Sequence, residues 1–319
     1  MTLEMEKRAP IDPAIAPLID RFDKALNVPG ITIEQMRQAY SKVLAEQGKP
    51  AAPVDTRDLF IPTRHGLMKA RLYRPVIDAR LPLVLYIHGG GFVLGDIDGL
   101  DTPLHVVAHQ SGCAILSIDY ALAPEAPYPI PFEQCQDALV WAVDHKDDLV
   151  VGSALGISGD SAGGNLSALL AIWARDNNGP SIDWQGLINP VLDFPAVEQK
   201  STVSHRLYAD GPHLTADAMA MFMSHYFTDD QHKIEASPLR VATVDGLPST
   251  FIAVAQLDPL RDEGIAYAVR LAEAGIPVES HCYEGLSHNF IVMSHVSEKS
   301  KEFLGQFAAA MAKNLKVKS

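Results

Sequence analysis

The spacing of apolar positions changes character along the chain. Residues 11–26 and 32–48 place apolar side chains at helical intervals, broken by Pro29-Gly30 and ended by GKPAAPV at 48–54, so two helices and a linker are predicted. From 55 the runs shorten and become β-rich: DTRDLFIPT and LMKARLYRP, separated by His65-Gly66, predict an antiparallel hairpin. Apolar runs of strand length then follow: LPLVLYI (81–87), CAILSIDY (113–120), ALGIS (154–158), WQGLIN (184–189), STFIAVAQL (249–257) and VESHCYE (278–284). They alternate with helical periodicity centred on 102–111, 131–149, 161–176, 262–274 and 297–316. Such alternation predicts an α/β chain whose mostly parallel central sheet carries helices on both faces.

One stretch breaks this rhythm. Residues 193–236 are too long for a simple connection, and their TADAMAMFMSHYF run repeats Met and Phe at helical spacing. A buried helix with Met filling gaps fits the pattern, and so does a lid whose adaptable apolar face lines a pocket. The two readings are compatible.

Composition narrows the function classes. With 47% apolar and 20% charged residues among 319, the chain can bury a large core and is not a disordered segment. A formal net charge of −13 repels phosphate backbones and anionic lipid headgroups, so nucleic acid is excluded as an expected partner. The N-terminal MTLEMEKRAPIDPAI has no apolar stretch after its charges, and no segment approaches the roughly 18 apolar residues of a membrane span. No membrane association and a cytoplasmic location are expected. Cys113, Cys135 and Cys282 are odd in number and form no CxxC, which fits reduced thiols in a cytosolic core. Twelve histidines without HExxH or HxH spacing give no metal site.

The chemistry lies in two glycine-rich turns and two later side chains. Gly159-Asp160-Ser161-Ala162-Gly163 sits between the ALGIS strand and a helix, the context in which a serine is exposed on a tight strand-to-helix turn. His88-Gly89-Gly90-Gly91 directly follows LPLVLYI; consecutive glycines let backbone N–H groups face a cavity, which suits a developing oxyanion. Neither GxGxxG spacing nor a P-loop lysine follows, so a phosphate cradle fits less well. A serine nucleophile needs a base and an acid that orients it. Asp258 after STFIAVAQL and His288 after VESHCYE supply them in the order Ser, Asp, His. The helix between them travels roughly 21 Å at 1.5 Å per residue and the strand returns roughly 23 Å at 3.3 Å, so both finish on one sheet edge. Asp262 and Glu263 remain alternative acids, and His281 and His295 alternative bases.

These residues resemble the hormone-sensitive-lipase-like bacterial esterases, the GDSAG-type members of the HGGG carboxylesterases. HGGGFVLGDIDGLD (88–101), DYALAPEAPYP (119–129), GDSAGGNL (159–166), DPLRDEG (258–264) and GLSHNF (285–290) stand in that family's order. The resemblance, from about Tyr73 to the C-terminus, implies the α/β-hydrolase fold with a helical cap. It implies Ser161, Asp258 and His288 as catalytic residues, oxyanion donors at the Gly90, Gly91 and Ala162 N–H groups, no cofactor, and small-molecule esters of short to medium acyl chains as substrates. An amidase or lactonase using the same three residues, and a ligand-binding receptor on the same scaffold, are the other readings.

The implied organisation is a cap segment at 1–54, a first core part at 55–192, a cap insertion at 193–236 and a second core part at 237–319. Two positions depart from the family pattern: Ala121 stands where YRLAPE has arginine, which removes an expected ion-pair partner, and Asn289 stands where glycine follows the histidine. Strand 278–284, if it ends the sheet, offers an edge for a homodimer.

Overall fold

The computed structural model describes residues 10–48, 53–75 and 78–316. The expected linker at 48–54 and the start of the 1–54 segment therefore fall partly outside the described residues, at 49–52 and 1–9.

Two helices come first, α1 (Ala16–Leu26) and α2 (Ile33–Leu44). Each is amphipathic, with Leu18, Ile19 and Phe22 buried on α1 and Tyr40, Val43 and Leu44 on α2. A reciprocal cap starts α2: Thr32 accepts from the Gln35 N–H while Gln35 reaches back to the Thr32 N–H. The hairpin follows as β1 (Val54–Thr63) and β2 (Gly66–Pro75), paired antiparallel from Val54↔Pro75 to Thr63↔Gly66.

Next come β3 (Leu81–Ile87), α3 (Asp101–Ser111), β4 (Ala114–Asp119), α4 (Ile130–Asp144), the single turn α5 (Lys146–Leu149), β5 (Val151–Asp160), α6 (Ala162–Asp176) and β6 (Trp184–Ile188). Four short helices, α7 (Phe194–Glu198), α8 (Val203–Leu207), α9 (Ala216–Tyr226) and α10 (Asp230–Glu235), fill the stretch that broke the rhythm. The chain ends with β7 (Ser249–Leu257), α11 (Arg261–Glu273), β8 (Val278–Ser287) and α12 (Glu298–Asn314).

The strands form one eight-stranded sheet in the order β1-β2-β4-β3-β5-β6-β7-β8. β2 pairs antiparallel with both β1 and β4, while β4, β3 and β5 to β8 are parallel to one another. Central strands β4 and β6 are buried nearly throughout, which is why they are apolar runs rather than alternating ones. The strand order reverses around β3, whose neighbours are β4 and β5, and open parallel sheets bind ligands beyond the strand ends at such a reversal.

Both faces are covered. Phe307 of α12 meets Trp184 and Phe251, with ring centroids 5.6 and 5.5 Å apart. On the opposite face of β7, α11 approaches so closely that a Cβ at Gly264 would lie 2.4 Å from Val254.

Two strands are longer than predicted. β5 begins at Val151 rather than 154, and β8 continues to Ser287 rather than ending at 284. The extension of β8 has a local cause. Its register with β7 shifts between Ala255 and Leu257, where Gly285 (φ 75°) donates its N–H to Gln256 Oε1, so the chain bulges and then pairs again at Leu257↔Ser287. Cys282 is exposed on β8, whereas Cys113 and Cys135 are buried, which corrects the expectation that all three thiols lie in the core. No helix among the described residues is long and apolar enough to cross a membrane.

Candidate active site

Ser161 is the residue between β5 and α6, held at φ 53°, ψ −115°. A side chain in that region costs on the order of 1–3 kcal/mol, and the surroundings enforce it. The Ser161 N–H donates to the Ile188 carbonyl (2.8 Å), and its own carbonyl accepts from the Asn165 N–H (3.0 Å). The turn is so tight that a Cβ at Gly163 would lie 1.9 Å from the Ile87 carbonyl oxygen, so α6 reaches β3 only with glycine there.

The downstream residues arrive at the same rim. His288 directly follows the bulged end of β8, and its Nε2 lies 2.8 Å from Ser161 Oγ. Its Nδ1 lies 2.7 Å from Asp258 Oδ2, at the end of β7. A carboxylate can only accept, so Nδ1 carries the proton and Nε2 is left as the acceptor facing the serine hydroxyl. Asp258 is fully buried, and its other oxygen accepts from the Leu260 N–H (2.8 Å). Asn289 takes the left-handed conformation (φ 65°, ψ 24°) that its family counterpart leaves to glycine, and its amide donates to Tyr40 Oη of α2 (2.9 Å).

The glycine turn after β3 faces this trio. The Val93 and Leu94 N–H groups donate to the Gly90 carbonyl (3.1 and 2.8 Å), and His88 Nδ1 donates to the Gly89 carbonyl (2.7 Å). In a trans peptide the N–H points opposite to its carbonyl, so the Gly90 and Gly91 N–H groups are directed away from the interior of the turn. Both residues line one cavity with Ser161, Ala162 and His288. His88 itself is structural: its ring stacks on Tyr120 at 4.4 Å, and Tyr120 Oη donates to the His88 carbonyl. Asp160 supports the turn from beneath, accepting from Tyr86 Oη (2.9 Å) and from the Gly89 N–H. Burial raises the Asp160 carboxyl above its usual range, against the pull of those two bonds.

The alternative acids and bases are engaged elsewhere. Glu263 is buried against His205 (2.7 Å) and accepts from the Leu192 and Asp193 N–H groups. Asp262 accepts from the Ser204 N–H (2.8 Å) and pairs with Arg261. Together they fasten α8 to the root of α11 beside Asp258. His281 bonds to Glu279 on β8, and His295 to the Val292 carbonyl. At the other departure from the family pattern, the Ala121 N–H donates to Gln134 Oε1, and the cation facing Glu125 is Arg37 of α2 (2.7 Å).

The cavity over Ser161 is about 290 Å³ and is walled by α1, α2, α7 and α9. Its lining is mostly apolar and rich in methionine: Met36, Met219, Met221 and Met223 join Phe194 and Phe222. Met219, Met223 and Tyr226 form the buried face of α9, while the Phe222 ring lies over Gly91, 2.4 Å from where a Cβ would stand. His213, between α8 and α9, stacks 6.3 Å from the His288 ring and meets Phe22 edge-on at 4.6 Å. Burial, with His288 nearby, pushes its imidazole down to about 3, so it is neutral at working pH. Sequence reasoning missed Arg37, Tyr40, the pairing of Glu263 with His205, and His213. Among the described residues no cluster of three or more His, Cys, Asp or Glu side chains could hold a metal ion.

A parallel sheet whose order reverses beneath a strand-to-helix serine, with a histidine and an aspartate delivered by the last two strands, defines the α/β-hydrolase class. The chain belongs to the alpha/beta hydrolase fold family, whose model matches residues 84–292, and within it to the hormone-sensitive-lipase-like esterases. The carboxylic ester hydrolase LipN of Mycobacterium tuberculosis is 34% identical over 96% of this chain and 83% of its own length. Esterase LipI of the same organism is 37% identical over 90% of this chain and 89% of its own. Among solved structures, a hyperthermophilic esterase from the archaeon Pyrobaculum calidifontis superposes with a TM-score of 0.89 at 34% identity, covering 95% of this chain and 98% of that one.

Proposed function

We propose that the protein is a serine carboxylesterase that hydrolyses short- to medium-chain carboxylic esters through an acyl-enzyme on Ser161. The observation that carries this reading is the continuous chain from Asp258 Oδ2 through His288 to Ser161 Oγ, in steps of 2.7 and 2.8 Å. As Ser161 Oγ attacks the ester carbonyl carbon, His288 Nε2 takes its proton, and Asp258 stabilises the imidazolium that forms. The Gly90, Gly91 and Ala162 N–H groups hold the negative oxygen of the tetrahedral intermediate. The C–O bond to the alcohol then breaks, and the alcohol leaves with the proton from His288. Water, deprotonated by the same imidazole, attacks the acyl-serine and releases the acid. Apart from the ester and water, every group in this cycle is supplied by the chain.

The mostly apolar cavity supports esters over charged substrates, and the relatives named as esterases support the same reaction. Rates across p-nitrophenyl esters from acetyl to decanoyl, run beside amide and lactone counterparts, test the substrate class. Ser161→Ala is expected to lower kcat on the best ester by about 10⁶, since losing such a nucleophile leaves only binding and the oxyanion donors. Activity within tenfold of the unaltered enzyme would sink the assignment.

A further inference from the structure

Arg37 sits on α2, yet its side-chain bonds run to the sheet rim. Its Nε donates to the Val93 carbonyl (2.8 Å) and its Nη2 to the Ala123 carbonyl (2.8 Å). Nη1 and Nη2 also grip Glu125 through both carboxylate oxygens, at 2.9 and 2.7 Å. Val93 belongs to the turn that closes on the Gly90 carbonyl, and the Ala123 N–H donates to the Phe92 carbonyl of that turn (2.9 Å). One planar fork therefore bridges the oxyanion turn and the neighbouring 121–125 loop at the place where the two already touch.

The parts of this clamp differ in weight. The Glu125 side chain is 65% exposed, so the ion pair is well screened; the Arg37 side chain is only 23% exposed, and its two carbonyl bonds are part-buried. Further along α2 the same pattern repeats: Ser41 Oγ donates to Asp96 Oδ2 (3.0 Å), and Asp96 Oδ1 caps the Gly99 N–H (2.8 Å).

We propose that Arg37 is a positioning residue for the oxyanion hole, holding the 90–94 turn so that the Gly90 and Gly91 N–H groups stand ready above Ser161. The physical need is plain. A turn of consecutive glycines brings no side chains of its own to fix it and has more backbone freedom than any other sequence, while oxyanion stabilisation depends on donors already in place before charge develops. Asp160 fixes the turn from the core side, and Arg37 fixes it from the helix side. This arrangement also accounts for Ala121: the loop lacks an arginine of its own, and the cation reaches Glu125 from α2.

The inference rests on the esterase reading above, and its test separates the two. Arg37→Ala and Arg37→Lys are compared with the unaltered enzyme in kcat and KM on a short ester, in Ki for a trifluoromethyl ketone whose serine adduct puts an oxyanion in the hole, and in melting temperature. Arg37→Ala is expected to lose at least about tenfold in kcat, with KM changed less than about threefold and the ketone weakened by the same factor as kcat/KM. Arg37→Lys keeps the charge but reaches fewer of the three acceptors, and should recover part of both losses. A fall in kcat with unchanged ketone affinity, or both variants within twofold of the unaltered enzyme, overturns the proposal. If Arg37→Ala fails to fold, Arg37→Lys decides by the same two ratios. An unaltered enzyme that neither cleaves esters nor binds the ketone would instead overturn the esterase reading.

Discussion

The sheet rim and the helices above it solve different problems with different materials. At the rim, each member of the trio is held by a short directional bond: Ser161 by Ile188 and His288 by Asp258, both from the ends of other strands, and Asp258 by the nearby Leu260 N–H. There the backbone is forced, with Ser161 and Asn289 at positive φ and α6 pressed onto β3 through Gly163. Above the rim, the cavity wall of α1, α2, α7 and α9 is mostly Met, Leu and Phe side chains that touch through surface rather than direction, with Tyr40 and Arg37 of α2 as the directional ties to the rim. Thioethers have several rotatable bonds and reshape at low cost, whereas a hydrogen-bonded imidazole does not. On the proposed reading the difference teaches a division of labour: the rim is organised for one transition state, and the helices for accommodating various ground states.

The comparison breaks most sharply at Asp258. In Asp258→Asn the side-chain oxygen can still accept from Leu260, but the amide cannot accept the His288 Nδ1 proton, so the imidazole is driven to the wrong tautomer. A fall in kcat of about 10⁴ is expected. If the rim acts independently of the wall, that loss should be equal for acetyl, butyryl and octanoyl esters in steady-state assays. A loss that varied more than tenfold with chain length would show that rim and wall are not separable.

His213 stands on the boundary, a residue between α8 and α9 whose ring faces the His288 imidazole. Its pKa in the folded chain, about 3, lies below the ordinary 6.5, so between those values the unfolded chain takes up a proton that the folded chain refuses. Stability from this residue is complete above pH 6.5 and is lost as pH falls, by up to about 1.4 kcal/mol per unit. His213→Gln should flatten that acid slope in urea titrations between pH 7 and 4.5. An unchanged slope would mean that other groups carry the acid sensitivity and that the boundary is drawn elsewhere.

How much of this was legible follows the same division. The rim's demands are local: a tight elbow needs glycine two residues before and after Ser161, and a donor loop needs consecutive glycines, so GDSAG and HGGG show in the residues themselves. Asp258 and His288 were traceable because helix and strand lengths return the chain to one edge. The continuation of β8 to Ser287 was not, because Gly285 reads as a strand end, whereas a bulge there lets pairing resume. Arg37 and Tyr40 were illegible for another reason: their partners lie 56 and 249 residues away, and on an amphipathic helix an arginine looks solvated. The TADAMAMFMSHYF run showed that a helix exists and that one face is apolar. It could not show that one side of that helix seals the core while Phe222 lies over Gly91.

The smallest expected effect sharpens the comparison most, because it should change selectivity and leave the chemistry alone. Behind the wall lies a second groove of about 510 Å³ between α7, α9 and α10, and Val197, Asp217 and Met223 line both it and the cavity over Ser161. Val197 and Met223 are buried, so their side chains form the partition between the two spaces. Removing the thioether in Met223→Ala opens the partition and lengthens the space a substrate chain can enter. A pocket difference of this size discriminates by roughly tenfold or more, so the ratio of kcat/KM for octanoyl over acetyl esters should rise by about that factor. The acetyl rate itself should stay near that of the unaltered enzyme, since no rim bond is altered. The truncation also costs about 2–5 kcal/mol of stability, so the assay belongs well below the variant's melting point. A parallel series in which the alcohol rather than the acyl chain is lengthened identifies which half of the ester runs along α9. If neither ratio moves, Met223 does not bound the substrate. If the acetyl rate collapses with the ratio unchanged, the wall is holding the rim in place, and the division between them fails at this residue.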